Sequence, residues 1–161
     1  MHMDSLDKFD LAILDILQKD NTTSQKVIGE AINLSAPAVQ RRIKRMQNTG
    51  VIQSNVAVIN PEKIKQSISV IVEVEMYEES IEFLDQAKKL FDSIPEIQQC
   101  YYVTGDTDFI LVMVVCSMSH YESLTRKIFF SNTNVKRFKT NVVMNRVKVG
   151  LSVPLNGING F

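Results

Sequence analysis

Apolar side chains recur three or four positions apart through the first sixty residues, which is the spacing of one face of a helix. The first such stripe lies in LDKFDLAILDILQKD, residues 6–20, where Asp7 is placed to cap the helix. Two further stripes follow at 24–32 and 35–49, and each opens with a serine that can act as a cap. The pattern predicts three short helices and then a ribbon, VIQSNVAVIN.

From residue 68 the period of the pattern falls to two, which is typical of strands. The segment ISVIVEVEM alternates in this way, whereas FILVMVVC is a continuous apolar run that indicates a strand covered on both faces. The predicted order is strand, helix, strand, strand, helix, strand, at 68–76, 81–91, 97–103, 109–116, 119–130 (capped by Ser119 with Glu122) and 135–149. This is the ferredoxin-like βαββαβ arrangement. We therefore expect an α+β protein of two domains, residues 1–60 and residues 61–161.

Composition argues against any global affinity for nucleic acid or membranes, because 18 basic residues balance 18 acidic ones in the 161-residue chain. The sequence has neither a run of about 20 apolar residues nor the start of a secretory signal, so we expect a cytoplasmic protein without membrane contact. Cys100 and Cys116 have neither metal-ligand nor redox-motif spacing and are expected to be buried free thiols. No metal or cofactor site is predicted.

The third predicted helix, in LSAPAVQRRIKRMQNTG, holds four cations between positions 41 and 45. Its apolar residues share one face and its polar residues the other, as in the second helix of a helix-turn-helix, which enters the major groove of DNA. Small residues at its start would let the backbone approach closely, Gln40 and Arg41 would reach bases, and Lys44 and Arg45 would reach phosphates. The predicted DNA-binding residues are Ser35, Ala36, Pro37, Ala38, Gln40, Arg41, Lys44 and Arg45.

A solvated charged face on a helix that only packs would give the same cluster. The three-helix pattern, the capped entry and the basic outer face occur together, and this combination favours DNA binding.

The sequence resembles the Lrp/AsnC (leucine-responsive/asparagine regulator) family of transcription factors. The resemblance lies in LDKFDLAILDILQKD, INLSAPAVQRRIKRMQNTGVI and VTGDTDFILV, and spans residues 5–155. It implies a winged helix-turn-helix followed by an amino-acid-binding domain whose sheets pair into dimers, and whose dimers often form octamers. The implied partners are double-stranded DNA, further copies of the chain and an amino-acid effector such as leucine or methionine.

The loop TGDTD between two predicted strands is the candidate effector site. Gly105 can adopt the positive φ that a tight link requires, and two aspartates lie beside exposed backbone N–H groups. An amino acid needs an anion for its ammonium group and N–H donors for its carboxylate, and such a turn offers both. From the residues alone, a plain hairpin turn with solubilising aspartates explains the loop as well. The resemblance assigns effector binding to Thr104, Gly105, Asp106, Asp108 and Thr140.

No catalytic site is predicted, because nothing in the sequence orients His120 towards a nucleophile. The function expected is a sequence-specific regulator whose assembly or DNA affinity responds to an amino acid. Two alternatives stay open: an architectural DNA-wrapping protein without an effector, and an amino-acid sensor that regulates an enzyme.

Overall fold

The computed structural model describes residues 6–65, 68–132 and 134–155. The chain forms two compact units, of which the first comprises the residues up to Val58 together with those from Lys148 onward. The second unit runs from Ile59 to Val147. The border expected from the sequence, between residues 60 and 61, lies close to this division, and the segment from Lys148 onward groups with the first unit.

The three predicted helices of the first unit are confirmed as α1 (Lys8–Lys19), α2 (Gln25–Ile32) and α3 (Ala36–Asn48). Each begins with a side-chain cap, from Asp7, Ser24 and Ser35 respectively, which accepts a backbone N–H that the helix itself leaves unpaired. Asn33 ends α2 in the left-handed conformation, with φ 58°. The tight turn to α3 follows from this conformation.

A small apolar core joins the three helices. One or two residues from each helix are fully buried, and they are Ile13, Ile28, Val39 and Met46. Residues 51–60, which were expected to form a ribbon, join no sheet in this chain and leave Val56 and Val58 exposed. A 3₁₀ turn, Pro61–Ile64, follows.

The C-terminal segment joins the first unit through a paired contact with α1. The side-chain amide of Gln18 donates to the carbonyl of Val153 over 3.2 Å, and the backbone N–H of Val153 donates to Gln18 Oε1 over 2.6 Å. A glutamine offers one donor and one acceptor at its tip, so it can satisfy both backbone groups of an extended residue. The final strand accordingly ends at Val142 and not at residue 149.

The second unit has the predicted ferredoxin-like order. Its elements are β1 (Ile68–Met76), α4 (Ile81–Asp92), β2 (Ile97–Tyr102), β3 (Phe109–Val115), α5 (Met118–Thr125) and β4 (Val135–Val142), and the antiparallel sheet runs β2-β3-β1-β4. One detail differs, because Ser117 and not Ser119 caps α5, accepting the N–H of His120 at 3.0 Å. A π-helical turn, Arg126–Phe130, extends α5 towards β4.

The two faces of the sheet differ in their burial. Alternate residues of β1 and β3, such as Val72 and Leu111, belong to the buried core that also includes residues of α4 and α5. The opposite face presents Ile110 and Val112, which are half buried in this chain, and Ile71, which is exposed. It therefore leaves an apolar surface without a covering layer in the described part of the chain.

Both cysteines are exposed, which contradicts the prediction of buried thiols. Cys100 lies on β2, an edge strand of the sheet, and Cys116 directly follows the end of β3. An apolar neighbourhood in sequence does not bury a residue at the edge or the end of a sheet. None of the described helices combines the length and the apolar run that crossing a bilayer requires.

Candidate nucleic-acid interface and effector loop

The outward face of α3 presents a short polar surface. Gln40, Arg41 and Lys44 are exposed, and they follow the exposed residues Ser35 and Pro37 at the start of the helix. Ala36 and Ala38 are half buried. Because Pro37 lies in the first turn, its missing N–H removes no helical hydrogen bond. Five of the eight predicted DNA-binding residues are therefore open to a partner in this chain.

The other two arginines of the cluster turn inward. Arg42 donates to Asp7 over 2.7 Å and to Asp10 over 2.8 Å, and Arg45 donates to the second oxygen of Asp10 over 2.5 Å. Asp10 is fully buried, whereas the side chain of Arg45 is 39% exposed. Arg45, which was expected to reach phosphates, therefore has its guanidinium held by Asp10 in this chain.

These contacts tie α1 to α3 through charge. Asp10 also accepts the N–H of Asp7, which completes a reciprocal cap at the start of α1. The hydrogen bonds that Arg42 donates to Asp10 and Asp7 raise the pKa of its guanidinium. We call Asp7, Asp10, Arg42 and Arg45 the ionic clamp. Sequence reasoning missed the ionic clamp. A signal was present, because the two aspartates are three residues apart and so are the two arginines, a spacing that places each pair on one helix face.

The candidate effector loop is closed by the backbone, since Val103 N donates to Asp108 O over 2.9 Å. Gly105 has φ 128°, a conformation that favours glycine, as expected. Thr104, Gly105 and Asp106 are exposed. The carboxylate of Asp108 instead accepts the N–H of Met76 over 2.7 Å, where a bulge interrupts the pairing of β1 with β4. Asp108 thus anchors the loop to β1.

Thr140 lies apart from this loop. It is on β4, opposite Val72, and its Oγ1 is 2.5 Å from the hydroxyl of Tyr121. The loop leads into β3, so the full width of β1 separates β4 from the strand that carries the loop. With strands about 4.8 Å apart, one chain does not bring Thr140 to the loop.

Two clefts are lined by residues of α4, α5 and the segment that follows α5. The first has a volume of about 310 Å³ and includes Phe83, Leu90 and Lys127. The second includes Arg126 and Phe130. Neither contains any of the predicted effector residues.

Comparison with known proteins accounts for both units. Residues 6–53 match the winged helix-turn-helix DNA-binding model, and residues 69–153 match the Lrp/AsnC ligand-binding domain. The chain belongs to the Lrp/AsnC family. It is therefore a transcriptional regulator of the helix-turn-helix type, with a ligand-binding domain after the DNA-binding domain.

Relatives of this Lrp/AsnC regulator match it over most of their length. The leucine-responsive regulatory protein of Escherichia coli K12 is 32% identical over 143 residues, which is 89% of this chain and 87% of the relative. An AsnC-family regulator of Agrobacterium tumefaciens, 27% identical, superposes with a TM-score of 0.88 over 95% of this chain and 99% of that one. A Neisseria meningitidis regulator solved with L-Met shares the fold at 24% identity and a TM-score of 0.86, over 94% and 98% of the two chains.

Proposed function

We propose that this Lrp/AsnC regulator, a cytoplasmic homo-oligomer, binds operator DNA through the outward face of α3, and that an amino acid bound at the Thr104–Asp108 loop alters its assembly or its DNA affinity. The observation that carries the DNA-binding part is the division of cations on α3. Arg42 and Arg45 are held by Asp10, whereas Arg41 and Lys44 are exposed. The clamp then orients the helix, and the free cations meet the nucleic acid.

The roles of the exposed residues follow from their chemistry. Arg41 offers paired donors and Gln40 offers a donor and an acceptor, which suit base edges in the major groove. Lys44, one turn further along, suits a phosphate. The side chain of Arg45 is only partly exposed, so we expect it to contribute less to DNA binding than Lys44 does. Ser35, Ala36, Pro37 and Ala38 are assigned to close approach of the helix start to DNA.

A two-fold assembly would present two such helices. The half-buried apolar face of the sheet, with Ile71, Ile110 and Val112, supports pairing with a second copy. We therefore propose a dimer as the basic unit, an octamer as its further assembly, and an operator whose half-sites are separated by whole helical turns.

The effector proposal rests on the loop and on the relatives. Asp106 supplies an exposed anion for an ammonium group, beside backbone N–H groups that suit a carboxylate. The E. coli relative is named for its response to leucine, and the Neisseria neighbour was solved with methionine. Either amino acid is a candidate here. Thr140 and the loop can share one site only if two copies contribute to it.

The DNA-binding proposal is tested with gel shifts at several salt concentrations, on an operator selected from random duplexes with the wild-type protein. Each of Arg41→Ala and Lys44→Ala is expected to weaken binding, and loss of a phosphate contact lowers the salt slope by about one. Lys19→Ala is the matched control, because Lys19 is an exposed cation of α1 that pairs with Asp15. Unchanged affinity and slope in the α3 variants would exclude the assignment.

The effector proposal is tested by calorimetry and light scattering with each of the twenty amino acids. We expect heat and a change in scattering with leucine or methionine, and loss of both responses in Asp106→Asn. Asp85→Asn is the control, since Asp85 is an exposed aspartate of α4 that pairs with Lys88. If none of the twenty amino acids gives heat or changes the scattering, an architectural DNA-binding protein is favoured instead. An amino-acid response without any DNA retardation at low salt would favour a sensor.

A further inference from the structure

A cysteine, a histidine and a carboxylate form a chain of contacts at the end of β3. Cys116 Sγ lies 3.2 Å from His120 Nδ1, and His120 Nε2 lies 3.3 Å from Glu96 Oε1. The imidazole and the carboxylate are each about one-quarter to one-third exposed, and Cys116 is exposed. None of the three belongs to the DNA-binding or effector residues proposed above.

Backbone structure holds the three side chains in place. Cys116 precedes the cap of α5, and Ser117 fixes the first turn of that helix by accepting the N–H of His120. The carbonyl of Glu96 accepts the N–H of Val114 over 2.9 Å, which ties the carboxylate-bearing segment to β3. The contact corrects the expectation that nothing orients His120, because the four-residue spacing of Cys116 and His120 brings the imidazole beside the sulfur.

The contacts also select a proton arrangement. A carboxylate accepts but does not donate, so Glu96 favours the imidazole form with the proton on Nε2. Nδ1 is then left with a lone pair directed at the thiol and can take its proton. The order of thiol, imidazole and carboxylate is the general arrangement by which proteins activate a nucleophile.

We infer that Cys116 is a redox modification site, in which His120 takes the thiol proton, Glu96 positions His120, and hydrogen peroxide is the oxidant. The thiolate attacks one peroxide oxygen, so that an S–O bond forms while the O–O bond breaks. The hydroxide that leaves takes the proton from the imidazolium and departs as water. Sulfur loses two electrons, peroxide gains them, and the product is a sulfenic acid.

Cys100 provides an internal control in the same chain. It is also exposed, but partial burial of its sulfur and the nearby carboxylate of Asp92 raise the pKa of the Cys100 thiol. The two cysteines are therefore both exposed residues whose thiols have different surroundings. Unfolding would remove these surroundings and bring the two reaction rates together, so a difference between the rates reports the folded protein.

The test measures iodoacetamide alkylation of each cysteine in the full-length protein by peptide mass spectrometry, across a range of pH. Near neutral pH we expect Cys116 to react about ten times faster than Cys100, because the thiolate is the reacting form. His120→Gln should remove most of this difference, and should shift the rise of the Cys116 rate to higher pH. Glu96→Gln should give a smaller shift in the same direction, as a positioning residue would.

A second measurement tests the oxidant directly. After treatment with hydrogen peroxide, dimedone should label the sulfenic acid at Cys116 and should label Cys100 and the His120→Gln protein much less. The inference is overturned if Cys116 alkylates no faster than Cys100, if His120→Gln leaves the rate and its pH profile unchanged, or if dimedone labels both cysteines equally.

Discussion

The two units of this regulator are stabilised in different ways. The second unit buries fifteen apolar or aromatic side chains around Phe91 and Phe109, whereas the first buries four apolar side chains among the described residues. Beside this small core, the first unit buries the carboxylate of Asp10 against two arginines. Apolar packing therefore dominates the sandwich, while the helix-turn-helix also depends on charge.

A buried ion pair adds little net stability, since its desolvation offsets its attraction, but it can fix a geometry. Arg42 and Arg45 are three residues apart on α3, and both reach Asp10 of α1. Two contacts from successive turns oppose rotation of α3 about its own axis. That rotation decides which side chains face outward, so the clamp controls the presentation of Arg41 and Lys44.

The largest effect is expected from Phe91→Ala in the second unit. Phe91 is fully buried and lies edge-on to Phe109, with ring centroids 5.3 Å apart. The cavity left by the ring should lower the free energy of unfolding of this unit by about 3–5 kcal/mol. Hydrogen–deuterium exchange should rise in β1 and β3 but not in α1–α3. Ile81→Ala, at a position that is 80% exposed, should change neither.

Asp10→Ala should have the next largest effect, and on the first unit. Removing the carboxylate leaves two guanidinium groups without their partner, which should cost about 2–4 kcal/mol because both arginines can still reach water. Exchange should rise in α1 and α3, and DNA affinity should fall although Asp10 touches no DNA in the proposal. Asp15→Ala on the same helix removes only an exposed pair with Lys19. Equal effects of the two substitutions would show that the ionic clamp contributes no more to the first unit than an exposed ion pair does.

The sequence predicted most of the fold because periodicity and capping are local properties. The helix caps Asp7, Ser24 and Ser35 and the order of helices and strands along the second unit all follow from residues close together in the chain. The candidate loop was likewise predictable from Gly105, because glycine readily adopts the positive φ that a tight link requires.

The features that escaped prediction depend on contacts between distant segments. The pairing of Gln18 with Val153 spans 135 positions, and the clamp joins α1 to α3 across more than 30. The local sequence of α3 does not show which of its four neighbouring cations will pair with a carboxylate of another helix. The site was therefore predicted as one basic cluster, whereas in the structure Asp10 holds Arg42 and Arg45, and Arg41 and Lys44 are exposed.

Gly29→Ala tests how closely α2 and α3 must approach, and a moderate effect is expected. A Cβ on Gly29 would lie 2.4 Å from the carbonyl oxygen of Leu34, so the turn between the helices would have to move. Alanine favours helices by about 1 kcal/mol over glycine, yet the clash should outweigh this and destabilise the first unit by about 1–3 kcal/mol. Gly150→Ala, where a Cβ meets nothing within 4 Å, is the control. Stabilisation by Gly29→Ala would show that the turn adapts without cost.

The smallest expected effect is the loss of stability at acid pH that arises from Asp7. Burial alone would raise the pKa of this carboxyl, but hydrogen bonds from the Asp10 N–H and from Arg42 lower it below the ordinary value of 3.8. The folded state therefore favours the ionised form, so the stabilisation is complete above that value and is lost as the pH falls through the lower folded pKa. The contribution should stay under about 1 kcal/mol, since the side chain is 45% exposed and water screens the pair.

Asp7→Asn keeps a capping oxygen but removes the charge, so the acid-induced rise in exchange of α1 should begin at a lower pH than in the wild type. Asp15→Asn should leave the wild-type pH dependence unchanged, and identical profiles for all three proteins would mean that the clamp's acid sensitivity does not come from Asp7.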